Sequence, residues 1–175
     1  MQNDNITLYS LGFDQVRSYL LTVAFVVGNI LLPQLCHLIP RGGLILLPIY
    51  LFTLVGAYKY GWRVGLMTAL LSPVANHLLF GMPPAAVLPT ILIKSVVLAL
   101  AAGFAAQRLR RLPLLLSLAA VVACYQVVGT LAEWAIVGDL FVALQDFRIG
   151  VVGMMIQIFG GELLIRSLHS QRPNQ

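Results

Sequence analysis

Two apolar runs decide the fold: AAVLPTILIKSVVLALAAGFAAQ at 85–107 and LPLLLSLAAVVACYQVVGTLAEWAIV at 112–137, joined by the basic tetrad RLRR at 108–111. Each exceeds the roughly 20 residues that a helix needs to cross a hydrocarbon core of about 30 Å. So short a connection forces the two helices to lie side by side and antiparallel. The first run holds one charged residue, Lys94, and the second one, Glu133. Neither can turn a polar face to water, so lipid must be their solvent.

Four more segments of similar character lie outward from this pair, near 18–39, 43–58, 62–80 and 147–168, with boundaries good to roughly 2–4 residues. The span at 43–58 is short. Punctuators separate them: PRGG at 40–43, YKYG at 58–61, GMPP at 81–84, and a stretch around Gly138, Asp139 and Asp146. The expectation is an all-α integral membrane protein, a six-transmembrane-helix bundle forming a single membrane domain over 1–175. Composition agrees, with 59% hydrophobic and 10% charged residues and a mean hydropathy of +0.91, against about 25% charged in soluble domains.

The net charge of +5 would suggest nucleic acid in a soluble chain, but here the cations sit at the ends of apolar segments. With a cytoplasmic N-terminus, the inner ends hold Arg17, Lys59, Arg63, Arg108, Arg110, Arg111, Arg166 and Arg172, and the outer ends hold only Arg41 and Arg148. The positive-inside bias therefore places both termini in the cytoplasm, and an even number of spans makes the two ends agree. Asp4 and Asp14 precede the first apolar run, so no basic start of a removable signal peptide is read. Cys36 and Cys124 are isolated, which fits neither a zinc site nor a disulfide framework.

Small residues recur at four-residue spacing: Ala24 and Gly28; Gly61, Gly65 and Ala69; Ala99 and Gly103. In lipid such stripes let helix backbones approach closely. Internal packing suits the last two, whereas a partner protein competes for Ala24 and Gly28 on an end helix.

From Leu38 to Gln107 the sequence resembles an S component, the substrate-binding subunit of an energy-coupling factor (ECF) vitamin transporter. SPVANHLLFGMPP at 72–84, followed by LP at 88–89, carries the resemblance most directly. It covers helices two to four, the others matching through size, topology and hydropathy. The resemblance implies a six-helix subunit in the bacterial cytoplasmic membrane that captures a micronutrient from outside. It would then topple in association with a transmembrane coupling subunit and two ATPase subunits. Ala24-x-x-x-Gly28 resembles the small-residue motif by which family members dock the coupling subunit, with glycine in the second place. Many relatives carry an acid a few positions after the LP, where this chain has Lys94, so cation-binding relatives are poor guides to its substrate.

Lys94 falls about nine residues into its span, roughly 13 Å deep. A cation there costs about 2.5–3.5 kcal/mol on insertion scales and must find a partner. That partner is either a substrate carboxylate or an internal acid, with Glu133 nearest and Glu162 deeper. Substrate contact is favoured because Lys94 would have to stretch to reach Glu133. Asn29, Gln126 and Gln157 fall at similar depth on three other helices. Hydrogen bonds between helices explain each amide alone, and convergence with Lys94 raises the binding reading. Nearer the outer mouth lie Arg41, Asn76, His77, Tyr125, Glu133, Trp134, Asp146 and Arg148, with Arg41 and His77 the first to test; loop charge and aromatic anchoring are the ordinary explanations.

The candidate substrate-binding set is thus Lys94, Asn29, Gln126, Gln157, Arg41, Asn76, His77, Glu133 and Trp134, taking an anionic, pantothenate-like or other carboxylate-bearing vitamin. The expectation includes no catalytic residue, metal, cofactor or nucleic acid. GxxxxGK[ST] is absent, so a partner must hydrolyse any ATP. Two other classes remain: a six-helix assembly subunit of the MreD type, which needs no ligand, and an intramembrane protease using Ser72 and His77, disfavoured by the lack of GxSxG.

Overall fold

The computed structural model describes residues 7–170, and its elements are all helical. Asp4 and Arg172 lie outside the described residues. In chain order the helices are α1 (Val16–Cys36), α2 (Gly42–Leu46), α3 (Leu51–Tyr60), α4 (Trp62–Phe80), α5 (Leu88–Arg108), α6 (Leu114–Val137), α7 (Leu140–Ala143), α8 (Gln145–Ile149), α9 (Val151–Met155) and α10 (Gly161–Ser170). A 3₁₀ turn, Pro48–Tyr50, leads into α3, and a π-helical segment, Ile156–Gly160, joins α9 to α10. Four runs are long and apolar enough to cross a membrane: Val16–Cys36, Leu88–Arg108, Leu114–Val137 and the composite Val151–Leu168. Leu20, Leu31, Phe104 and Leu163 stand exposed on them. Apolar surface on this scale fits hydrocarbon rather than water, so the protein is membrane-embedded.

Two expected spans differ from the single helices of the sequence reading. The stretch 43–58 is broken, because Pro48 has no N–H and its ring collides with the preceding turn. Leu47 takes the left-handed region at φ 45°, ending α2 and redirecting the chain, and Arg41 at φ 58° does the same before α2. The stretch 147–168 is built from α8, α9, the π segment and α10. Helix α4 spans 19 residues, but Arg63, Asn76 and His77 dilute its apolar character.

Helix α3 is the central element, with every residue but Phe52 buried, and Leu54 and Ala57 wholly enclosed. Close approach is possible because a side chain on Gly65 would strike Ala57, and one on Gly103 would strike Trp62. At one end of the bundle an extended N-terminal segment caps α3. The Tyr9 and Leu11 N–H groups donate to the Lys59 and Tyr60 carbonyls at 2.8 and 3.1 Å, two of the acceptors that a helix C-terminus leaves without partners. Tyr9 stacks on Tyr60, Arg17 lies over Tyr9, and Arg63 lies over both Phe13 and Trp62.

Candidate functional site: an apolar cavity above an amide network

At the other end of the bundle the chain forms a half-open cavity of about 550 Å³. Its walls come from the end of α1 (Pro33, His37), the 39–44 connection, the Pro48 turn, the 82–87 connection and Ile91 on α5. Prolines dominate because this is where helices end and the chain must turn without helical N–H donors. The lining is apolar apart from His37, Arg41 and Asn76, and contains no acid. Its volume lies within the range of about 300–1,000 Å³ that accommodates small organic ligands.

Beneath it α1, α3 and α4 are joined by two asparagines. Asn29 Nδ2 donates to Thr53 Oγ1 at 3.0 Å and Ser72 Oγ at 3.1 Å, and its Oδ1 accepts from the Phe52 N–H at 3.3 Å. That N–H belongs to the first turn of α3, where donors lack acceptors within the helix itself. Asn76 Nδ2 donates to the carbonyls of Asn29 and Ser72, both at 2.9 Å. The Asn29 carbonyl needs this donor because Pro33, four residues on, supplies none. These bonds fix the orientation of the Asn76 amide and leave its buried Oδ1 without a partner among the described residues. His77 Nδ1 lies 2.8 Å from the Pro83 carbonyl; a carbonyl only accepts, so Nδ1 carries the proton and holds the cavity's Pro83 wall.

Lys94 belongs to a separate cluster. Its Nζ meets Glu133 Oε2 at 2.5 Å and Asp146 Oδ2 at 2.9 Å, all three side chains being at least seven-eighths enclosed. The expectation that it would have to stretch to Glu133 is corrected. Gly129 gives the lysine stem a slot that any side chain would fill, and the α6–α8 turn brings Asp146 to the same nitrogen. The countercharge that pointed to a substrate carboxylate is therefore met inside the chain.

The sequence-expected polar layer is divided accordingly. Asn29 and Asn76 form the network under the cavity. Arg41 stands at the cavity wall, and His77 braces it. Glu133 pairs with Lys94, while Trp134 is half-exposed on the outside of α6. Gln157, set by the π segment, accepts from Tyr125 Oη at 2.8 Å, its Nε2 having no partner among the described residues. Gln126 is fully buried and neither of its side-chain polar atoms has a hydrogen-bond partner among the described residues. Ser72 Oγ accepts from Asn29 and His77 Nδ1 donates to the Pro83 carbonyl, and among the described residues no hydrogen bond joins Ser72 to His77.

Of the small stripe on α1, Ala24 is exposed, but Gly28 faces inward against the Phe52 ring. Sequence reasoning passed over Thr53, which the network uses, and His37, on the cavity wall; the proline spacing around them was the available signal. No protein-family model, curated protein or solved structure matches the chain.

Proposed function

We propose that the protein is the substrate-capturing subunit of an ECF-type importer for a vitamin or related micronutrient. In this reading it is a six-span protein of the bacterial cytoplasmic membrane with both termini inside, working with a transmembrane coupling subunit and two ATPase subunits. The observation that carries the proposal is a coincidence of position. The stretches bearing the resemblance, LIPRGG at 38–43 and SPVANHLLFGMPP at 72–84, contribute much of the cavity wall. A ligand-free assembly subunit has no use for such a space at that place. Ala24, with the exposed Leu20, Val27 and Leu31 beside it, offers the coupling subunit an apolar face on α1; Gly28 contributes by letting α1 sit close to α3.

Mass spectrometry of small molecules released from the purified protein tests the reading. A single retained nutrient-like compound, displaced when Ile91→Trp fills the cavity, is expected. Empty protein that also binds nothing from a micronutrient panel would favour the assembly-subunit class.

A further inference from the structure

We propose that the cavity selects an amphipathic monoanion: a ligand with a largely apolar body and one carboxylate-like group, the anion being held by Arg41. This deepens, and rests on, the capture reading, and it moves the anion contact from Lys94 to the cavity wall.

Three observations converge. Lys94 is already neutralised by Glu133 and Asp146, so an anionic ligand has nothing to gain there. Arg41 is the one permanently charged residue of a lining that contains no acid, and among the described residues it forms no ion pair. Its left-handed backbone, φ 58°, sets the guanidinium's base at the junction of the 37–41 turn and α2, and His37 shares the same wall. The remaining walls, including Pro33, Pro48, Ile49 and Ile91, offer hydrocarbon and little else, which rejects a sugar-like or polyanionic body because its hydroxyls or extra charges would lose water without compensation. Asn76, more than nine-tenths buried, is one of the three polar residues of the lining, its amide held by the Asn29 and Ser72 carbonyls.

The experiment compares a fluorinated phenylbutyrate with its amide, two probes of nearly equal shape that differ by one charge. Binding to the full-length protein in lipid nanodiscs is followed by fluorine NMR, with empty nanodiscs correcting for partition into lipid. The acid is expected to bind about tenfold or more tightly than the amide, as a charged hydrogen bond would give. Arg41→Gln should erase the preference and Arg41→Lys retain part of it. Equal binding of acid and amide to the unaltered protein overturns the inference without any variant, so misfolding of Arg41→Gln cannot shield it. A preference that persists in a folded Arg41→Gln also overturns it. Released-ligand mass spectrometry separates this failure from that of the function. A retained neutral or cationic compound removes the monoanion and leaves capture standing, whereas a protein that retains nothing and binds neither probe removes both.

Discussion

Lys94 shows how the need of one side chain for a partner can be legible while the choice between a substrate and an internal acid is not. A cation at that depth requires a countercharge, and the chain supplies two: Glu133 from α6 and Asp146 from α8. Lys94→Met keeps most of the stem in the Gly129 slot but strands both carboxylates. Removing one side of a buried ion pair typically costs about 3–5 kcal/mol, so thermal unfolding in detergent should show a large loss of stability. Adding Glu133→Gln and Asp146→Asn should recover much of it, since the triple variant buries no unpaired charge. Ligand affinity in whatever Lys94→Met remains folded should be nearly unchanged; a specific loss of binding with stability intact would return Lys94 to the substrate site. Gly28 makes a second residue-scale test. Leucine there would collide with the Phe52 ring, and overpacking of this kind costs about 1–3 kcal/mol. Gly28→Leu should therefore lower the melting temperature of the isolated protein, and an unaltered melting temperature would mean that α1 can shift away from α3 without penalty.

Among the elements, α1 and α4 are coupled by a missing hydrogen bond. Pro33 deprives the Asn29 carbonyl of its helical donor, and Asn76 on α4 replaces it across the interface. Asn76→Ala should orphan that buried carbonyl, at about 1–3 kcal/mol. Pro33→Ala restores an N–H four residues along, so the double variant should be more stable than the sum of the single changes implies. Measured stabilities that simply add would show that the carbonyl finds another donor. Such a pairing explains what the sequence could and could not disclose. The long runs at 85–107 and 112–137 were legible because apolar length alone sets a span. The break at Leu47 was marked by Pro48 but hidden by the continuous hydropathy of 43–58, and the π segment at Ile156–Gly160 left no such mark, because mean hydropathy is blind to where helices are rewound. Likewise Arg41, Asn76 and His77 were legible as a group near one end, but the division between cavity and ion cluster was not. Depth along a helix fixes a layer; it does not say which neighbour a side chain faces, and here Asn29 turns to α3 and α4 while Lys94 turns to α6.

At the scale of the whole molecule, the placement of cations makes the proposed orientation testable. The extended segment before α1 lies against the α3–α4 turn, gathering Arg17, Lys59 and Arg63 at one end of the bundle. The antiparallel course of α5 beside α4, fixed where Gly103 meets Trp62, carries Arg108, Arg110 and Arg111 to that end too. Not all these cations count equally toward topology. Lys59 is almost wholly enclosed, with Nζ 3.5 Å from the Ile165 carbonyl, and so serves packing as well as orientation, whereas the arginines of the 108–111 turn have no such enclosure. Orientation should therefore depend most on that turn, since cations in short loops near span ends carry the bias. In a variant whose own cysteines are replaced, a single cysteine at Met82 should react with a membrane-impermeant maleimide added to intact cells, and one at Arg110 only after the cells are opened. Replacing Arg108, Arg110 and Arg111 with glutamine should weaken that contrast, giving a fraction of molecules labelled from outside at residue 110. Strong external labelling at residue 110 in the otherwise unaltered chain would turn the bundle over. The cavity at the 82–87 end would then open to the cytoplasm, which is incompatible with capture from outside.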